Sequence, residues 1–163
     1  MEGLISYVLV SYQGTAGSCD LAKSSVQSST YDFLGDAANA VDGNSNTDYL
    51  KKSCSHTHFD NNPWLRVELP DVYNVTSVTI VNRKDCCGDR INGAQIRIGN
   101  SLDNKVNAFE HVVKFVALTC FFFCIYRVAV IGPMGSERKI LTLCEVKVYA
   151  GEREDKKEPE FIK

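Results

Sequence analysis

Cys54-Ser55-His56 and, after 26 intervening residues, Arg83-Lys84-Asp85-Cys86-Cys87-Gly88-Asp89-Arg90 are the stretches on which the reading of this chain turns. The second follows Val75-Thr76-Ser77-Val78-Thr79-Ile80-Val81, whose β-branched residues and alternation mark a strand that delivers Arg83 at its end. One imidazole, two guanidiniums and a pair of adjacent cysteines are thus carried by a short loop and a strand end. These groups recognise polar ligands and suggest no evident reaction.

At 163 residues the chain is one domain, long enough to bury a core. A formal charge of −2 argues against nucleic acid, which needs a clustered Lys/Arg excess. Seven cysteines without paired C-x-x-C spacing suit an oxidising compartment better than a zinc array. Asn74-Val75-Thr76 is an acceptor for N-linked glycan, which is consistent with secretion. The uncharged run 115–126 is too short to cross a bilayer, which takes about 20 apolar residues.

Residues 1–18 read as a poor leader or an altered start: an apolar run from Leu4 lacks a preceding basic residue. Residues 19–33, rich in Ser and Thr, read as irregular chain or short edge strands. Residues 65–69 (LRVEL) alternate and stop at Pro70, the pattern of a half-buried strand. Asn92-Gly93 signals a turn, residues 94–98 alternate again, and 141–149 (LTLCEVKVY) form a closing strand. Residues 112–132 split into two buried strands, and 151–163 are a charged tail or linker. Without an amphipathic helix, short strands separated by turns predict an all-β fold, a β-sandwich.

With those residues in view, the chain resembles the F-type lectins, the fucolectin family typified by eel agglutinin. The family signature is His, 26 residues, Arg-x-Asp, four residues, then Arg or Lys, and it falls on His56, Arg83, Asp85 and Arg90. Further similar text is GDAANAVDGN at 35–44, NPWLRVEL at 62–69 and DRINGAQIRIGNSL at 89–102. The likeness spans residues 19–150. It implies a galactose-binding, discoidin-like jelly-roll sandwich and a non-catalytic, secreted protein of agglutinin or innate-immune type that binds terminal α-L-fucose on glycans.

The resemblance implies that His56, Arg83 and Arg90 meet around an axial hydroxyl of fucose. Arg can only donate, in a planar fork suited to neighbouring oxygens. Asp85 is expected to orient a guanidinium and offset repulsion between the two; for an isolated R-x-D, weak surface ion pairs would be the alternative. Adjacent Cα atoms lie about 3.8 Å apart, short of the usual disulfide range of about 4.4–6.8 Å, so a Cys86–Cys87 bridge needs a strained peptide. Residue types alone leave reduced or separately paired thiols open; the family has the vicinal bridge, a flat patch against the sugar ring. The methyl of fucose needs an apolar slot, for which Tyr49 is the first candidate and Tyr31 and Phe33 the next.

Asp42-Gly43-Asn44-Ser45-Asn46-Thr47-Asp48 has the oxygen density of a calcium loop but fails as an EF-hand, with Thr47 where the turn needs Gly and Ser53 where a bidentate Glu belongs. The family implies a structural Ca2+ held by Asn39, Asp42, Asn44, Ser53, Cys144 and Glu145, reinforced by a Cys54–Cys144 disulfide. A Cys120–Cys124 bridge is a further expectation, although the family's matching pair is separated by a longer stretch; Cys19 is left over. Weak single-site sugar binding implies homo-oligomers or tandem domains, without membrane insertion. Two other readings compete: a discoidin-like adhesion domain that binds lipid or protein through its loops, and a zinc hydrolase built on Cys54, His56, His58, Cys86 and Cys87.

Overall fold

In the computed structural model, residues 22, 24–73, 75–99, 111–113, 125–133, 135 and 137–150 are described. Among the described residues the regular elements are eight strands and three single 3-10 turns. The strands are β1 (Ser24–Gln27), β2 (Ser55–His56), β3 (Trp64–Tyr73), β4 (Val75–Asn82), β5 (Gln95–Gly99), β6 (His111–Val113), β7 (Ile125–Ile131) and β8 (Thr142–Ala150). They form a five-stranded sheet in the order β1-β3-β7-β5-β6 and a three-stranded sheet in the order β2-β8-β4, with every pair antiparallel. The expected all-β sandwich is present, and β1 is the short edge strand anticipated within residues 19–33. Among the described residues no helix is long and apolar enough to cross a membrane.

The core follows from period-2 alternation, which sends every second side chain to one face. Leu65 and Val67 of β3, Ile96 and Ile98 of β5 and Val128 and Val130 of β7 point inward from one sheet. Val78 and Ile80 of β4 and Leu143, Val146 and Val148 of β8 meet them from the other. The opposite face of β3 carries Trp64, Arg66 and Glu68; Glu68 pairs with Arg66 at 2.6 Å and with Arg127 of β7 at 2.5 Å. One boundary differs from expectation: β3 runs through Pro70 to Tyr73. Proline cannot donate to the ladder, and the β3–β7 register breaks between Glu68 and Tyr73, which lets the strand pass it.

The feature that positions the loops is β8. Ser55 of β2 and Asn82 at the end of β4 both pair with Leu143, one on each side of the strand. Strands lie about 4.8 Å apart in a sheet, so the loop with His56 and the loop that begins at Arg83 are held two strand spacings apart at one end of the molecule. The β4 register skips Cys144, passing from Val81↔Glu145 to Asn82↔Leu143. Continued by one residue, the β2 register sets Cys54 opposite Cys144, and these two form the expected disulfide across a separation of 90 residues. Both half-cystines are fully buried.

Residues 112–132 hold the two expected strands in part, as β6 and β7. Cys19, Asn74, Cys120, Cys124, the leader 1–18 and the tail 151–163 lie outside the described residues. Replacing both bridge cysteines (Cys54→Ser with Cys144→Ser) should lower the unfolding free energy by about 4–5 kcal/mol by the chain-entropy argument for so long a loop. Denaturant titration of the double variant beside the oxidised wild type measures it; an unchanged midpoint would mean that the bridge does not clamp β2 to β8.

Candidate carbohydrate-binding site

Four loops meet at the end of the sandwich where β2 and β4 finish. The loop 28–35 lies along β2, with the Tyr31 amide on the His56 carbonyl at 2.9 Å and the His56 amide on the Gly35 carbonyl at 3.0 Å. A Cβ on Gly35 would stand 2.7 Å from the His56 Cβ, so only glycine permits this approach. The 83–90 loop is tied to 47–49 through the Lys84 amide on the Thr47 carbonyl at 3.0 Å and the Tyr49 amide on Asp85 Oδ1 at 3.3 Å.

His56 is buried, 5% exposed, with its ring between Tyr31 and Tyr49 at centroid distances of 4.7 and 5.1 Å. Its Nδ1 lies 2.8 Å from the Thr57 carbonyl, which can only accept, so Nδ1 carries the proton and Nε2 keeps a lone pair. Arg90 Nη1 donates to that Nε2 at 3.1 Å. Burial is the main cause that holds the imidazole below its ordinary value of 6.5; the charges of Arg90 and Arg83 push the same way, and the Thr57 carbonyl opposes them. Arg90 is itself lowered, by burial and then by Arg83, as expected for two cations kept close together.

Arg83 forks onto Asp85, with Nε to Oδ1 at 2.8 Å and Nη2 to Oδ2 at 2.6 Å. This bidentate bond is the first cause of both shifts, Arg83 upward and Asp85 downward. Its guanidinium also lies 4.6 Å above the Tyr49 ring. Two of its five N–H donors are taken by Asp85 and three remain. Asp85 therefore fixes the plane of the Arg83 guanidinium. Cys86 and Cys87 are bridged to each other, with their Cα atoms 3.8 Å apart and Cys87 in the left-handed region at φ 57°. From Cys87 the chain enters the 3-10 turn Gly88–Ile91 that presents Arg90.

Tyr49 occupies a different place from the one its expected role suggested. It is buried at 6% exposure beneath His56 and Arg83, and its hydroxyl donates to Asp32; burial and then this bond raise the Tyr49 pKa, while the same bond holds the Asp32 carboxyl below its ordinary value against the opposing effect of burial. Tyr31 and Phe33 are the exposed rings at the rim, at 49% and 84%. Two further residues, Asn82 and Asp32, support the cup. Asn82 accepts from the Arg83 amide at 2.9 Å and donates to the Gly88 carbonyl at 2.8 Å, closing the Arg83 loop at both ends. Asp32 anchors Tyr49 and caps its own turn through the Leu34 amide at 2.9 Å. The available signals were an Asn at a strand end and the Asp-x-x-Gly spacing of a turn.

Comparison with known proteins decides the family. The chain is 46% identical over 121 residues to a fucolectin of Anguilla anguilla, an alignment that covers 69% of this chain and 75% of that protein. The chain belongs to the fucolectin family. Fucolectin-1 of Anguilla japonica is 60% identical over 66 residues, an alignment that spans only 37% of that relative's length. The family profile described as a NedA-like, galactose-binding domain matches residues 39–116. Among solved structures, a fucolectin from Morone saxatilis serum is 38% identical with a TM-score of 0.68, covering 83% of this chain and 50% of that one. A Streptococcus pneumoniae fucose binding module is 28% identical with a TM-score of 0.68, covering 82% and 99%. Members of this family are lectins and not catalysts, and Cys54, Cys86 and Cys87 are all half-cystines, which removes three thiolates from the zinc-hydrolase reading.

The oxygen-rich run forms a staircase of side-chain turns: Asp42, Asn44, Asn46 and Asp48 each accept from the amide two residues on, at 2.8, 3.2, 3.0 and 3.0 Å. Asn39 donates to the Leu34 and Cys54 carbonyls at 2.6 and 3.2 Å, and Ser53 donates to the Asp48 carbonyl at 2.8 Å. Glu145 is fully buried at the β8 bulge beside Cys144. Among the described residues no three His, Cys, Asp or Glu side chains group as metal ligands. The expected calcium set relies mainly on amide, hydroxyl and main-chain oxygens, with Asp42 and Glu145 as its two carboxylates.

The lowered His56 pKa fixes a pH dependence. Below about 6.5 the unfolded chain takes up a proton that folded His56 refuses, so this contribution to stability is complete above that pH and is lost as pH falls below it. Asp85 and Asp32, both lowered, lose their contributions only below about pH 4. The urea midpoint should therefore drop between pH 7 and pH 5, and His56→Gln should flatten that drop. An equal slope in the variant would contradict the assignment.

Proposed function

We propose that this chain is a secreted, non-catalytic lectin that binds terminal α-L-fucose on glycans. The observation that carries the reading is the paired presentation of Arg90 against the neutral His56 Nε2, with Arg83 and its three spare donors alongside. A sugar hydroxyl both donates and accepts, so one placed between Arg90 and His56 can accept from the guanidinium and donate to the imidazole. Arg83 donates to a neighbouring oxygen, and Asp85 keeps its plane fixed. The Cys86–Cys87 bridge, half-buried beside them, offers a polarisable surface to the ring's C–H face. The fucolectin relatives and the fucose binding module support this ligand class.

Calcium is the second part of the proposal. Asn39, Asp42, Asn44, Ser53, Cys144 and Glu145 would hold it, and hard oxygen donors suit that ion. Bound there, it would supply positive charge to a carboxylate taken wholly out of water and would clamp the 42–53 loop to β8. The two disulfides favour an oxidising, extracellular setting. Recognition of multivalent surfaces, as in agglutination or innate defence, would need several copies of so small a site, through homo-oligomers or tandem domains.

Calorimetric titration with methyl α-L-fucoside tests the sugar reading. Arg83→Ala or Arg90→Ala should weaken binding roughly tenfold or more, since a hydrogen bond to a charged group contributes about 1.5–3 kcal/mol. Folded wild-type protein that gives no fucose-inhibitable binding would end the proposal. For the metal, chelation should lower the melting temperature and added Ca2+, but not Mg2+, should restore it; a melting curve indifferent to chelator would remove calcium from the account.

A further inference from the structure

Phe33 is 84% exposed, the highest value for a large apolar side chain among the described residues. It stands on a tight turn closed by the Gly35 amide on the Asp32 carbonyl at 3.2 Å. Its chain neighbours on both sides are built into the cup: Tyr31 stacks on His56, Asp32 holds the Tyr49 hydroxyl, and the Gly35 carbonyl takes the His56 amide. Phe33 is therefore held at the rim, its ring left in water by a turn closed through the Asp32 carbonyl and carboxylate. Lys52 places its Nζ 5.9 Å from the centre of that ring. Lys52 adopts φ 55°, a left-handed conformation unfavourable to a β-carbon, and its amide is bonded to the Tyr49 carbonyl at 3.1 Å. Among the described residues neither Lys52 nor the adjacent Lys51 has an ion-pair partner.

An aromatic face beside a cation, contiguous with a sugar cup, has a specific use. The ring packs on the C–H face of a second pyranose, and the ammonium answers a negative charge on that same unit. We propose that Phe33 and Lys52 form a second saccharide subsite beside the His56–Arg83–Arg90 cup, one that takes an anionic unit, bearing a sulfate ester or a carboxylate, of the same fucosylated glycan. This rests on the fucose reading and goes beyond it by assigning a charge preference to the neighbouring sugar. Because Lys52 is exposed, the preference is screened by salt.

The test compares four probes by calorimetry: methyl α-L-fucoside, a neutral Lewis-type trisaccharide, and its sulfated and sialylated counterparts, each at low and at physiological salt. Wild-type protein should bind at least one anionic trisaccharide roughly three- to tenfold more tightly than the neutral one at low salt. Lys52→Gln should abolish that advantage and keep the neutral affinity. Phe33→Ala should weaken all trisaccharides and leave the monosaccharide unchanged. An advantage for only the sulfated or only the sialylated probe identifies the source of the charge. Equal affinity for neutral and anionic trisaccharides, or an advantage that survives Lys52→Gln, overturns the subsite while the fucose site stands. No binding of methyl α-L-fucoside overturns the fucose reading itself. Binding to phosphatidylserine vesicles that is lost in Phe33→Ala and indifferent to free fucose makes this rim a lipid contact and also overturns the proposal.

Discussion

The pairing of β8 with β2 on one side and with the end of β4 on the other is the constraint from which the rest follows. Leu143 is the common partner of Ser55 and Asn82, so two segments far apart in sequence become neighbours at one end of the sandwich. The bulge at Cys144 and its bridge to Cys54 lock the narrow β2 strand, whose two residues would otherwise have little to hold them. Everything that touches the cup hangs from this arrangement: His56 lies within β2, Arg83 follows β4, and Arg90 sits on the turn beyond the second bridge.

Gathering two guanidiniums and an imidazole has an electrostatic cost that the local structure distributes. Asp85 neutralises Arg83 and fixes its plane, and His56 stays uncharged because burial and both arginines oppose its protonation. The Thr57 carbonyl at Nδ1 and the Arg90 donor at Nε2 hold the imidazole in one tautomer, and the rings of Tyr31 and Tyr49 flank it. The result is a preorganised mixture of donors and one acceptor. Such a mixture fits hydroxyl groups, which both donate and accept.

Much of this could be read directly from residue order. Alternation in residues 65–69 and 75–81 specified strands because each has one buried face, and the adjacent cysteines with the His-to-Arg spacing marked the cup through family resemblance. What escaped depends on tertiary pairing. The passage of β3 through Pro70 rests on a break in the β7 register that no local pattern shows. Asn82 and Asp32 act through bonds to loops whose proximity appears only after folding. Tyr49 was expected at the sugar-facing surface because aromatic rings suit methyl groups; Asp32 and Arg83 instead draw it under the cup, and the exposed rings fall to the loop before β2.

The central claim is that a neutral His56, protonated on Nδ1, offers Nε2 as the acceptor beside Arg90. Nitrogen-15 NMR of the imidazole at neutral pH, recorded with and without L-fucose, tests it most directly. The account predicts an uncharged ring in the Nδ1–H tautomer whose Nε2 resonance moves on saturation with the sugar while Nδ1 stays nearly fixed. An imidazolium at neutral pH, or a ring indifferent to saturating L-fucose, would contradict it.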